Sequence, residues 1–122
     1  MKKFRVWDKL TNKMHIGNTG FHLFSNGALG FNSGHDYEVV DSNNFEVLFY
    51  TGLKDKAGKE IYESDIDQDG GRIFYNESIA AFQIDYGGDV DIADMEDVDK
   101  WMVVSGNIYE SPELLNPLNK QS

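Results

Sequence analysis

Short runs of aromatic and β-branched residues recur along the chain, and glycine, asparagine and aspartate separate them. That pattern predicts a series of β-hairpins. In FHLFSNGALGF (21–31) two apolar runs flank Ser-Asn-Gly, and Asn26-Gly27 is expected to supply the two positive-φ residues of a type I′ turn. YEVV (37–40) and FEVLFYT (45–51) are separated by Asp41, Ser42, Asn43 and Asn44, which suits two strands and a polar turn. Further strands are expected at 4–8, 72–75, 80–86 and 101–104.

Helix signals are few. Ser111-Pro112-Glu113 offers an N-cap, a proline at the first helical position and an early carboxylate, with Pro117 as a stop. Ile92, Met95, Val98 and Trp101 recur at helical spacing, so 92–100 reads either as a helix or as an acidic loop. The tail 116–122 has little to bury and is expected to be flexible. No repeat or linker breaks the remainder, so 1–115 is expected to form a single mainly β domain, a small SH3-like or related β-barrel with extra hairpins and a short C-terminal helical turn.

A chain of 122 residues can bury a core without a disulfide or structural metal, and it has no cysteine. Thiolate metal sites and cysteine nucleophiles are excluded. Polar residues interrupt MKKFRVWDK, which is therefore expected to be neither a signal peptide nor a membrane span. The net charge of −10 repels phosphates, disfavours direct nucleic-acid binding and suits docking on a basic partner. A cytoplasmic setting is the expectation, and nothing in the sequence points to a homo-oligomer.

Three blocks carry a resemblance: FRVWDK (4–9), TGLKDKAGKEIYESDI (51–66) and GNIYESPELL (106–115). In that order they resemble the YopX family of phage and prophage proteins. The resemblance implies a mainly β fold and a phage or prophage accessory role, with no known reaction and no catalytic residue to carry over. Gly52 suits a strand exit, Lys54–Lys59 a solvated turn with Gly58 at positive φ, and Ile61, Tyr62 and Ile66 a return to the core. Gly106 and Asn107 resemble a further turn that feeds Ile108 and Tyr109 inward. Ser64 stands where the family pattern has glycine, so a positive φ there would be strained.

Several candidate sites remain. Asp65, Asp67 and Asp69 followed by Gly70 match the first half of an EF-hand loop. The second half fails: Asn76 occupies the place of the bidentate glutamate, Gly71 behaves as an insertion, and the flanks read as strands. A hairpin turn is the preferred reading, with a weak calcium site as its alternative. Ser33, His35 and Asp36 lie too close along an extended chain to converge as a triad. His15, His22 and His35 lack any metal-ligand spacing.

The segment DYGGDVDIADMEDVDK (85–100) concentrates acid, with Asp89, Asp91, Asp94, Glu96, Asp97 and Asp99 as candidate docking residues. Trp7 and Trp101 are anchors if exposed and core residues if not. The leading functional expectation is a non-catalytic module that needs no cofactor and binds a host or phage protein. The alternatives are an acidic nucleic-acid mimic and a metal-assisted hydrolase using clustered carboxylates.

Overall fold

A computed structural model describes residues 3–17, 20–32, 34, 36–88 and 91–117. The chain is mainly β, as its alternation of short apolar runs and turn residues predicts. It divides into two compact units, residues 1–49 and 50–122.

In the first unit the strands are β1 (Phe4–Asp8), β2 (Lys13–Ile16), β3 (Phe21–Leu23), β4 (Leu29–Asn32), β5 (Tyr37–Val39) and the start of β6 (Phe45–Lys54). β1 pairs antiparallel with β2 and with β6, and β3, β4 and β5 form a separate antiparallel sheet. Val6, Trp7, Leu29 and Leu48 are buried, so Trp7 is a core residue and not an exposed anchor.

The β3–β4 hairpin corrects one expectation. Only Gly27 takes positive φ, at 89°, and Asn26 does not. The Gly27 N–H donates to Phe24 O and the Phe24 N–H to Ala28 O, which is a type I turn closed by a left-handed glycine. Asn26 serves through its side chain instead, its Oδ1 accepting the Ala28 N–H at 3.0 Å.

The second unit contains the end of β6, β7 (Glu60–Tyr62), β8 (Asp65–Asp67), β9 (Arg72–Asn76), β10 (Ala81–Asp85), β11 (Ile92–Asp94), α1 (Val98–Trp101) and β12 (Val104–Asn107), with a 3-10 turn at Pro112–Leu114. A five-stranded sheet runs β11-β10-β9-β8-β12. Ile61, Ile73, Ile84, Val98, Met102 and Val104 form its core, with Tyr86, Ala93, Met95 and Trp101 packed against them. Ile61, Tyr62 and Ile66 are buried, as the apolar pattern of the second family block requires.

Four expectations change here. Residues 92–100 are neither one helix nor a loop: Ile92–Asp94 pairs with β10, and only the turn Val98–Trp101 is helical. The strand expected at 101–104 therefore begins only at Val104, and Trp101 closes α1. Gly52 does not end a strand. It lies inside β6 at φ 87°, where the β6–β7 register shifts between Tyr50 and Lys54. Gly106 and Asn107 belong to β12, and the turn follows them.

Ser64 adopts φ 69°, the left-handed conformation suited to glycine, and its buried Oγ has no hydrogen-bond partner. Its backbone is held on both sides, since its N–H donates to Ile73 O and its carbonyl accepts from the Ile108 N–H. Ser64→Gly removes the Cβ strain and the orphaned hydroxyl at the cost of a more flexible unfolded chain. Thermal or urea unfolding is expected to show a gain of about 1 kcal/mol.

Candidate functional site

Two turns in the second unit use the same local device. Asp55-Lys56-Ala57-Gly58-Lys59 and Asp67-Gln68-Asp69-Gly70-Gly71 each close with glycine at positive φ, 83° for Gly58 and 80° for Gly70. Gly58 N–H donates to Asp55 O and Gly70 N–H to Asp67 O. In each, one carboxylate oxygen spans the loop. Asp55 Oδ1 accepts from Ala57 and Lys59 N–H, and Asp67 Oδ1 from Asp69 and Gly71 N–H, all at 2.9 Å.

The second oxygen of each aspartate reaches out of its turn. Asp55 Oδ2 accepts the Val104 N–H at 2.9 Å, joining the turn to the start of β12. Asp67 Oδ2 accepts the Tyr86 hydroxyl at 2.6 Å. Lys54–Lys59 is thus the solvated turn expected, with Lys54, Lys56, Ala57, Gly58 and Lys59 exposed, but Asp55 within it is only 3% exposed. Burial works to raise the Asp55 pKa, but the N–H groups of Val104, Lys59 and Ala57 and the Lys59 charge outweigh it and hold the carboxyl below the usual range. Burial, followed by the Asp67 carboxylate, pushes the Tyr86 phenol well above its ordinary value.

This bonding accounts for the EF-hand spacing. Asp65 Oδ2 accepts the Tyr62 N–H at 2.8 Å, and both Asp65 and Asp67 are buried, whereas Asp69 is exposed. The carboxylates of Asp65 and Asp67 are engaged by their own hairpins and by Tyr86, and no group of three His, Asp or Glu that could hold a metal occurs among the described residues. Gly71 is no idle insertion, since a Cβ there would come within 2.6 Å of both Ile84 and Tyr86. Calcium added against chelator is expected to leave the melting temperature unchanged, as differential scanning fluorimetry would show; a rise at millimolar calcium would contradict it.

The other family blocks hold comparable locks. Asp8 Oδ1 accepts from Leu10 and Thr11 N–H, and Asp8 Oδ2 from the Thr11 hydroxyl at 2.8 Å. Asn107 Oδ1 accepts from Tyr109 and Glu110 N–H, while its Nδ2 donates to Glu110 Oε1 at 2.8 Å.

The acidic segment is part of the folded unit. Ala93, Met95, Val98 and Trp101 turn toward the core, and Asp91, Asp94, Glu96, Asp97 and Asp99 are exposed. Asp89 lies outside the described residues. Trp101 is half-buried, its indole N–H donating to Glu96 O at 2.8 Å, so it is not a free anchor. Asp94 Oδ1 accepts from Gln83 Nε2 at 2.8 Å, Asp85 faces Arg72 at 3.5 Å, and Asp97 lies 3.8 Å from Lys100. Asp97 enters α1 at φ 52°, a conformation aspartate tolerates better than most residues.

Asp97 and Asp99 border a cleft of about 670 Å³. The β6 bulge supplies Gly52, Leu53 and Lys54 to its lining, the Asp55 turn supplies Lys56, and Met95 and Val98 contribute apolar surface. Leu53 is 39% exposed, and the lining carries cationic and anionic groups together. Sequence reasoning missed this cleft and the burial of Asp55. The D-x-x-G pattern that recurs at 55–58 and 67–70 was the available signal for the second.

The triad reading cannot be placed, because Ser33 and His35 lie outside the described residues; Asp36 is exposed. His15 packs on Phe21 with ring centroids 5.3 Å apart, and His22 on Phe24 and Tyr37, each at 4.9 Å. Among the described residues no helix is long and apolar enough to cross a membrane.

The described residues define a mainly β protein with side-chain-locked turns and a cleft of mixed charge. The chain belongs to the YopX protein family, whose profile matches residues 3–116. It is similar to the crystal structure of protein EF1440 from Enterococcus faecalis, with 25% identity and a TM-score of 0.65 over 94% of this chain and 98% of that one. Comparison with the curated proteins finds no match.

Proposed function

We propose that this chain is a non-catalytic protein-interaction module, a phage or prophage accessory protein that acts in the bacterial cytoplasm by docking on a host or phage protein. The observation that carries this reading is the cleft bordered by exposed Asp97 and Asp99, with Leu53 on its surface. An apolar anchor rimmed by charge is the arrangement that lets a partner bury a side chain while electrostatics sets orientation and on-rate. A basic partner surface complements the −10 net charge.

The rival readings have less support. Charge mimicry of nucleic acid calls for a regular array of free acids, and Asp85, Asp94 and Asp97 already face Arg72, Gln83 and Lys100. A metal-assisted hydrolase calls for gathered carboxylates, and Asp65 and Asp67 are hydrogen-bonded within their own hairpins.

The test is capture of a partner from bacterial or phage-expressing lysate at low and high salt, by the protein and by the Asp91→Asn, Asp94→Asn, Asp97→Asn, Asp99→Asn variant. One reproducible partner, lost with salt and with the four substitutions, is the expected result. Capture that is indifferent to both would overturn the docking face, and no partner from either lysate would overturn the interaction reading.

A further inference from the structure

Two chain segments line the cleft of the second unit, one running from Tyr50 to Gly58 and the other from Met95 to Asp99. They carry opposite charge. The first brings Lys54 and Lys56 to the lining, and Lys59 stands exposed in the same turn. The one acid of that segment, Asp55, is buried, and its carboxylate accepts from the N–H groups of Ala57, Lys59 and Val104. The second segment brings Asp97 and Asp99, with exposed Glu96 beside them.

These charges do not neutralise one another. Among the described residues Lys54, Lys56 and Asp99 form no ion pair, and Asp97 faces only Lys100, at 3.8 Å with both side chains largely exposed. Solvent screens such groups, and ordering a long side chain toward a carboxylate costs entropy, so they gain little by closing on each other. A ligand that fills the cleft displaces that water, and each charge it meets then acts at shorter range in a lower dielectric. The same lining presents apolar surface, from Leu53, 39% exposed, and from the half-buried Met95. A purely basic partner would meet Lys54 and Lys56 as well as the acids, and the net charge of −10 repels a purely acidic one.

We propose, building on the docking reading above, that the cleft receives an extended segment of the partner protein in which a basic and an acidic side chain flank an apolar one. The basic side chain faces Asp97 and Asp99, the acidic one faces Lys54 and Lys56, and the apolar one packs on Leu53 and Met95. Alternate residues of an extended chain face one way, so the three occupy every second position. The two charges also fix the direction of the segment, since reversing it brings like charges together.

The test is an NMR titration of the intact chain at about 0.15 M salt, where only close charges count. The probes are acetylated, amidated peptides: Lys-Ser-Leu-Ser-Glu and its reverse Glu-Ser-Leu-Ser-Lys, with Lys-Ser-Leu-Ser-Lys and Glu-Ser-Leu-Ser-Glu as single-sign controls. One of the two mixed-charge peptides is expected to shift the Leu53 and Val98 methyl resonances saturably, at a lower concentration than the other three. The double variant Lys54→Gln, Lys56→Gln, at two exposed positions, should weaken that peptide at least about threefold and strengthen the doubly basic control. No saturable shift, tighter binding of a single-sign peptide, equal binding of the two orders, or full binding by the double variant would overturn the proposal. A lysate partner that needs Asp97 and Asp99 but not Lys54 and Lys56 would also overturn it, while leaving the docking reading intact. Mixed-charge peptide binding with no captured partner would support the cleft chemistry and count only against the docking reading.

Discussion

Asp55→Asn is expected to destabilise the protein by roughly 3 kcal/mol, the largest effect of any isosteric change argued from this structure. Asn can still present Oδ1 to the Ala57 and Lys59 N–H groups, but its amide nitrogen then faces the Val104 N–H, donor against donor. Reversing the amide only moves the conflict into the turn. The site is 3% exposed, so water cannot repair either arrangement. A loss on the order of 10 °C in melting temperature is the expected readout.

Acid should erase part of that difference. The folded Asp55 carboxyl sits below its unfolded value, so as pH falls the unfolded chain takes up the proton first. The stabilisation from this group is therefore fully present above the unfolded aspartate value of about 3.9 and is lost as pH falls through the folded one. Urea melts across that window should show Asp55→Asn converging on the parent protein. A constant gap would mean that the carboxylate charge is not what the three N–H groups hold.

Asp67 makes a contrasting prediction with the same chemistry. Asp67→Ala leaves the Asp69 and Gly71 N–H groups and the Tyr86 hydroxyl without an acceptor beside a buried backbone, and should cost roughly 3 kcal/mol. Asp67→Asn should cost only about 1 kcal/mol. Its Oδ1 keeps both backbone bonds, and the partner of the second position is a hydroxyl, which can turn from donating to accepting. Asparagine is thus severe at Asp55 and mild at Asp67 because a backbone N–H cannot reverse and a phenol can. Equal losses in chemical denaturation of the two asparagine variants would refute that distinction.

How far the sequence revealed this molecule depends on whether the decisive partner is near or distant along the chain. The strands were legible because apolar runs and turn residues are local signals, as 4–8, 45–51 and 72–75 illustrate. The strain at Ser64 was legible too, from one residue standing where a glycine belongs. Burial of Asp55 was not, because Lys-Asp-Lys-Ala-Gly-Lys reads as solvent-facing and the group that buries its carboxylate, Val104, is 49 residues away. The helical spacing of Ile92, Met95, Val98 and Trp101 misled for a related reason. Pairing of Ile92–Asp94 with β10 is a long-range contact that overrides local periodicity. At Asn26-Gly27 the residue types fitted two hairpin geometries, and only the backbone distinguishes them.

Two sets of acids in the second unit have different surroundings: buried Asp55, Asp65 and Asp67 fasten turns, and exposed Asp97 and Asp99 at α1 border the cleft. The most direct test of that division is photocrosslinking in lysate from a benzophenone amino acid placed at Leu53, which lines the cleft, or at Tyr75, which is comparably exposed but does not. The account predicts one adduct from position 53 that disappears at high salt and in the Asp97→Asn, Asp99→Asn background. The same adduct from position 75 and none from 53, or an adduct that persists without those two carboxylates, would contradict it.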